Sequence, residues 1–159
     1  MRANATLPPK VSDVLKLIGR KLENGQALGP EVAEAVSLLN TLDARDLAQS
    51  EREIVEAASL YRGRREPSFM ERLFTRRIAD ADQLSLLGGL EFLFLFHRDG
   101  HLREAALRKI SGPLPSPFIF AAVAWRLNDW VRPVRIAAVE CAARTFPSSP
   151  ASTIAETAT

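Results

Sequence analysis

The sequence has only one cysteine, Cys141, among its 159 residues. A single thiol cannot form an internal disulfide bond, and it cannot supply the thiolate cluster of a structural zinc site. The sequence therefore excludes a disulfide-stapled fold, and it suits a reducing compartment. The neighbours of Cys141 are mostly alanines and include no histidine. We therefore expect a buried, inert thiol rather than a nucleophile.

Long hydrophobic runs are also missing. The longest one extends from Leu84 to Phe96 and is interrupted by Glu91, which makes it too short to cross a bilayer. The first ten residues include Pro8 and Pro9 and have no apolar core of signal-peptide length. These features predict a soluble, cytoplasmic protein with no membrane partner.

Neither sign of charge dominates, since 21 Lys and Arg residues face 19 Asp and Glu residues for a net charge of +2. A charge this small does not indicate a polyanionic partner. The sequence contains no Gly-rich phosphate loop and no recognisable nucleophile or carboxylate pair. A metal site built from His97, Asp99 and His101 is disfavoured, because Asp99-Gly100 should break the helix between the histidines. We predict no enzyme, no catalytic residue, no cofactor and no metal.

The sequence does contain a repeat. The stretches 99–110 and 128–142 share one plan, in which an Asp precedes a helix that carries an Arg and then small residues. One constant offset relates the two stretches, and it lies within the period of about 30–35 residues that is typical of a solenoid built from stacked helix pairs. The matching positions are Arg103 with Arg135, Ala105 with Ala137, Ala106 with Ala138 and Leu107 with Val139.

Both stretches resemble the HEAT repeat, whose second helix opens with an Asp, then Val-Arg, then Ala-Ala. The resemblance is specific over residues 84–144 and only architectural before them. It implies an all-α fold without a β-sheet: a short right-handed superhelix of about four antiparallel helix pairs, similar to HEAT or armadillo solenoids.

The resemblance also implies a role for four residues of the repeat signature. In HEAT-like proteins the equivalent Asp caps the second helix, and the Arg reaches toward the Asp of an adjacent repeat. Asp99, Arg103, Asp129 and Arg135 are then a structural ladder and not a binding site. As a helix cap, Asp129 should contribute roughly 1 kcal/mol. The spacing is four residues from Asp99 to Arg103 but six from Asp129 to Arg135, so the second loop could hold its Asp differently.

Apolar periodicity and turn residues place the helix pairs at about 9–42, 50–79, 83–111 and 116–145, within one domain of residues 1–146. Residues 147–159 are low in complexity, which predicts a disordered tail.

Particular residues mark where the predicted helices begin and end. Asn24-Gly25 should end the first helix, and Ser116-Pro117 should begin the seventh. Ser50 with Glu53 is typical of a capping box that begins the third helix, which should run to Gly63. One buried helix should carry Leu84 to Phe96, with Gly88-Gly89 allowing close approach of a neighbouring helix.

The densest basic cluster lies in residues 62–77, which carry six Arg against two Glu. Arg72 and Arg76 would share one face of a helix, since one turn separates them. The simplest interpretation is a solvated surface, and the alternative is a contact with phosphate or with an acidic partner. The cluster consists of Arg62, Arg64, Arg65, Arg72, Arg76 and Arg77.

The end of the repeat carries further candidates. Trp125 and Trp130 flank the second Asp loop, where they could pack as core or as a lid, or could instead serve as exposed anchors for a partner. The last helix offers Ile136, Val139 and Ala143, more apolar surface than one hairpin contact can cover. This excess predicts self-association or a partner at the C-terminal helix pair.

The resemblance to HEAT solenoids implies a non-enzymatic scaffold module that binds a protein or peptide. A nucleic-acid-binding protein that uses the Arg62–Arg77 cluster is the alternative, because some HEAT-like proteins are DNA-repair glycosylases. An enzyme of the phycobilin-lyase kind, whose short HEAT-like repeats have a similar length, is a third possibility.

Overall fold

The computed structural model describes residues 7–61 and 79–149, and every regular element in these two ranges is helical. The predicted all-α class is confirmed for this part of the chain. The predicted fourth helix, with the second half of the second helix pair, lies outside the described residues. The helices are α1 (Pro9–Glu23), α2 (Pro30–Leu39), α3 (Leu47–Ala57), α4 (Asp80–Leu86), α5 (Leu90–Phe94), α6 (Gly100–Lys109), α7 (Pro117–Arg126) and α8 (Arg132–Thr145), with 3₁₀ turns at Ala44–Asp46 and Phe146–Ser148.

Several helix ends follow the predicted turn residues. α1 ends before Asn24, and Gly25 then takes a left-handed φ of 62°, which glycine adopts without strain. α2 begins at Pro30, whose missing N–H costs nothing in a first turn. The Ser116 hydroxyl accepts a hydrogen bond from the Ile119 amide at 3.2 Å and so caps α7, as predicted.

The predicted capping box at Ser50 and Glu53 is wrong. α3 already begins at Leu47, directly after a 3₁₀ turn that Asp43 caps by accepting from the Arg45 amide. Ser50 is therefore buried inside the helix, and Glu53 accepts a hydrogen bond from the Leu7 amide at 2.9 Å. The helix also ends earlier than predicted, at Ala57 instead of Gly63.

The single helix predicted over Leu84 to Phe96 is also wrong. Gly89 has a φ of 92°, which no helix accommodates, so the segment is divided into α4 and α5. The predicted close approach is confirmed, because a Cβ atom on Gly89 would lie 3.3 Å from Cγ2 of Val36 on α2. Gly89 therefore both redirects the chain and lets α5 approach α2.

The helices share one apolar core, which contains buried residues from all eight of them. α1 packs on α2 and on α3, and α8 packs on α6 and on α7. The contact between α1 and α3 is very close, since a Cβ atom on Gly19 would lie 2.8 Å from the carbonyl oxygen of Ala57. None of the helices in the described ranges is long and apolar enough to span a membrane.

Two further contacts join helices that are distant in sequence: α2 touches α5, and α3 touches α7. In the predicted order these contacts connect the first helix pair with the third and the second with the fourth. A strict one-dimensional stack brings only neighbouring pairs together. The described helices are thus more compact than a stack of that kind.

The chain stays ordered slightly beyond the predicted boundary of the tail. Phe146–Ser148 form a 3₁₀ turn, and Ser149 is buried with its hydroxyl donating to the Thr145 carbonyl at 2.9 Å. Disorder from residue 147 is therefore wrong for residues 147–149, because the end of α8 supplies hydrogen-bond acceptors to them. The rest of the predicted tail lies outside the described residues.

We predict that Gly89→Ala destabilises the fold by about 1–3 kcal/mol, since alanine at this φ is strained and its methyl group would press on Val36. Chemical denaturation measures the change in the free energy of unfolding. Gly88→Ala is the matched control, because the Gly88 φ is not positive and no atom lies within 4 Å of its Cβ position. Equal losses of stability in the two variants would contradict the conclusion that the φ of Gly89 and its contact with Val36 divide the helix.

Candidate functional site

A buried ion pair joins α6 to the loop between α7 and α8. Arg103 on α6 donates from Nε to Oδ2 of Asp129 and from Nη2 to Oδ1, both at 2.9 Å. The two residues are only 4% and 5% exposed. This two-point geometry is the strongest arrangement that an Arg and a carboxylate can form. The predicted reach of Arg103 to the Asp of the adjacent pair is confirmed.

A second arginine shares the same carboxylate. Arg126, the last residue of α7, donates from Nη1 to Oδ2 of Asp129 at 3.3 Å, and its Nη2 pairs with Glu51 on α3. The Val131 amide adds a hydrogen bond to Oδ1 of Asp129 at 3.0 Å. We call Arg103, Arg126, Asp129 and Glu51 the buried charge cluster. It connects α3, α6, α7 and the loop before α8.

Sequence reasoning missed Arg126 and Glu51. Arg126 could have been found, because it is the one charged residue of an otherwise apolar helix and lies three positions before Asp129. Glu51 gave no such signal, since 75 residues separate it from its partner.

The Asp129 carboxyl titrates below its ordinary range. Burial alone would raise the pKa of Asp129, but hydrogen bonds from Arg103 and Val131, with the charges of Arg103 and Arg126, lower it from 3.8. The folded state therefore holds this proton less tightly than the unfolded chain does. The ionised group stabilises the fold above the unfolded pKa, and this contribution is lost as pH falls through the lowered folded pKa.

The two aspartates of the repeat signature act differently. Asp99 directly precedes α6 and accepts from the His101 amide at 2.9 Å, so its predicted capping role is confirmed. Asp129 accepts from Val131, which itself precedes α8, and so bonds no amide within the helix. The capping role predicted for Asp129 is wrong, because two buried arginines draw its side chain into the interior.

The fourth signature residue, Arg135, lies half-buried on α8. Its Nη1 donates to the backbone carbonyl of Asp129 at 2.7 Å. No carboxylate from residues 7–61 or 79–149 forms an ion pair with it. The structural ladder is therefore formed by Arg103 and Asp129, while Arg135 makes only a local contact.

The two histidines and the cysteine have different surroundings. His97 is buried, with Nδ1 accepting from the Asp99 amide at 2.9 Å, whereas His101 is exposed. Within the described ranges no three His, Cys, Asp or Glu side chains converge on a possible metal position. Cys141 is fully buried, and burial raises the pKa of its thiol. A neutral, enclosed thiol is a poor nucleophile.

The outer side of α8 is apolar and exposed. The helix turns Val134, Ala138 and Cys141 inward, and it leaves Ile136 47% exposed and Val139 59% exposed. These two residues are three positions apart and so share a face of the helix.

Trp130, in the loop that enters α8, is 77% exposed. The core or lid interpretation of Trp130 is therefore wrong, and the alternative, an exposed aromatic side chain, is what the structure has. Its neighbour Asp129 is drawn inward by the buried charge cluster, which leaves Trp130 on the outside. We call Trp130, Ile136 and Val139 the α8 surface.

Charged groups accompany the α8 surface. Arg108 on α6 pairs through Nη1 with Oε2 of Glu140 on α8 at 2.9 Å, and both side chains are about half exposed. Arg132, at the start of α8, is exposed as well. An apolar centre with polar groups around it is typical of a protein interface.

The remaining candidates, Arg62, Arg64, Arg65, Arg72, Arg76 and Arg77, lie outside the described residues. Their role as a phosphate or partner contact stays a prediction from the sequence.

In comparisons with known proteins, no family model matches the chain, and no curated protein or solved structure matches it.

We predict that Asp129→Ala lowers the free energy of unfolding by about 3–5 kcal/mol, because it leaves two buried arginines without their shared carboxylate. Guanidinium or urea denaturation measures the loss. Asp99→Ala is the matched control, since Asp99 only caps α6, and its loss should cost about 1 kcal/mol. Similar small losses in both variants would show that Asp129 contributes no more than a cap.

Proposed function

We propose that this chain is a non-enzymatic module that binds a protein or peptide through the α8 surface. The observation that carries the proposal is the exposure of Trp130, Ile136 and Val139 at the edge of the helical array. As its wider architecture we propose a HEAT-like right-handed superhelix of about four helix pairs, wound tightly enough that the first pair touches the third and the second touches the fourth. The constant offset between the stretches 99–110 and 128–142 supports that architecture.

The energetics favour a covered α8 surface. Burying a large apolar side chain contributes about 1.5–3 kcal/mol. Tryptophan is enriched among the residues that contribute most to binding, because it combines a large apolar area with an indole N–H. The rigid setting of Trp130 adds to this, since the buried charge cluster fixes the loop before a partner arrives and less entropy is lost on binding.

The described residues support a binding role better than a catalytic one. Their most strongly held polar groups, in the buried charge cluster, pair with one another and are buried or partly buried. A catalytic group must reach a substrate, and it requires a positioned base or acid within hydrogen-bond distance of the reacting atoms. The exposed face of α8 is instead apolar at its centre.

We predict that Val139→Glu abolishes binding of the natural partners, because the partner would have to remove water from a carboxylate where it now covers a valine. The measurement is affinity capture from nuclease-treated extract of the native cells, followed by quantitative mass spectrometry. Proteins recovered with the unaltered chain should fall at least tenfold with the variant.

Leu86→Glu is the matched control, because Leu86 on α4 is an apolar residue outside the α8 surface that is even more exposed than Val139, 76% against 59%. It should retain the partners. If Val139→Glu and Leu86→Glu recover the same proteins in the same amounts, the α8 surface is not the binding site. Proteins recovered only when the nuclease treatment is left out would favour the alternative that uses the Arg62–Arg77 cluster.

A further inference from the structure

Arg103 uses its guanidinium in two directions. Nη1 donates backward along its own chain, to the carbonyl oxygen of His97 at 2.8 Å. Nε and Nη2 donate forward, to the carboxylate of Asp129 in the next helix pair at 2.9 Å. One edge of the guanidinium thus donates hydrogen bonds to the local loop, and the other edge donates to the neighbouring helix pair.

Arg135 repeats the first of these contacts. It is the repeat equivalent of Arg103, and its Nη1 donates at 2.7 Å to the carbonyl oxygen of Asp129. In both copies the accepting carbonyl lies six positions before the arginine, so Asp129 is the equivalent of His97 in this contact. The second contact has no counterpart among the described residues, where no carboxylate meets the Nε edge of Arg135. The guanidinium is therefore held in place with one donor edge open.

An apolar position shows the same difference. Leu107 on α6 is fully buried, at 0% exposure, in the part of the fold where α8 packs against α6. Val139 is the equivalent position on α8 in the repeat, and it is 59% exposed. Arg103 and Leu107 are thus buried on α6, whereas on α8 Arg135 is half-buried and Val139 is exposed.

We infer that the α8 surface receives a helical segment of another protein that presents an aspartate or glutamate to Arg135 and an apolar side chain to Val139. This inference rests on the proposed function, and it specifies the side chains that the partner must present. The partner would pack on α8 in the same way as the loop that contains Asp129 and the helix after it pack on α6. Binding needs no new conformation of Arg135, because its bond to the Asp129 carbonyl already fixes it.

A second copy of this chain fits the site less well. If two copies stacked end to end, the first helix pair of the second copy would meet α8. Asp129 lies four residues before the first-turn proline of α8, and the residue at the same distance before the first-turn proline of α2 is the neutral Gln26. The carboxylate nearby, Glu31, is only 7% exposed and is already held by Lys21 at 2.8 Å. A different polypeptide with a free carboxylate is the better occupant.

The test uses a labelled peptide of residues 113–146, which carries the loop and helix that fill the equivalent place on α6. The full chain is titrated against it by fluorescence anisotropy. Arg135→Gln should weaken binding roughly tenfold or more, because it removes a charge-assisted hydrogen-bonded pair. The peptide with Asp129→Asn should lose as much, and combining the two changes should cause no further loss.

Arg52→Gln is the matched control, since Arg52 is an exposed arginine on α3 and lies outside the α8 surface, and it should change the affinity less than twofold. The peptide could instead displace the last helix pair of the chain from α6. Binding that depends on Arg135 excludes this exchange, since the exchange would occur on α6 and not on α8. Joining the peptide to the chain by a flexible linker raises its effective concentration and reveals a weak complex. If neither form shows binding that depends on Arg135, the inference is wrong.

Three outcomes separate this inference from the proposed function. Partner capture that is lost in Val139→Glu but kept in Arg135→Gln would support the binding surface and overturn the carboxylate. Sedimentation that shows dimers dependent on Arg135 would assign the surface to a second copy and overturn the heterologous partner. A tenfold gain in peptide affinity on removal of residues 150–159 would assign the site to this segment of the chain. That result would also overturn the heterologous partner.

Discussion

The ion pair between Arg103 and Asp129 is the contact on which the C-terminal half of this protein depends. A carboxylate that is 5% exposed receives hydrogen bonds from two arginines on two different helices. Replacing such a pair with apolar residues need not destabilise a protein, but removing one partner leaves a buried charge alone. The pair therefore fixes the register of α6 against the loop before α8, and Arg126 extends the constraint to Glu51 on α3.

The same contact shapes the exposed face of the molecule. Drawing Asp129 inward leaves Trp130 on the outside, and the small residues on the inner side of α8 let that helix lie close to α6. The apolar residues Ile136 and Val139 are then left on the outer side. One buried electrostatic interaction thus links the packing of α6 and α7 with the side chain that the loop before α8 exposes.

The sequence predicted what depends on local spacing. The resemblance to the HEAT repeat implied the contact of Arg103 with the Asp of an adjacent repeat, and Ser116 predicted the start of α7. Features set by distant contacts were missed. The sequence did not show that Gly89 breaks the helix, because the break depends on its φ of 92° and on its close contact with Val36. Glu51 became a partner of Arg126 only because α3 packs on α7, and the exposure of Trp130 depends on where Asp129 is held.

The most direct test of this account is the coupling free energy between Arg103 and Asp129, measured by denaturing the variants Arg103→Met, Asp129→Leu and the combination of both. If the two side chains stabilise each other in the interior, the double variant will be more stable than the sum of the single losses predicts, by about 1–3 kcal/mol. Losses that add to within about 0.5 kcal/mol would show that the two side chains act independently. That result would contradict the conclusion that the ion pair holds α6 against the loop before α8.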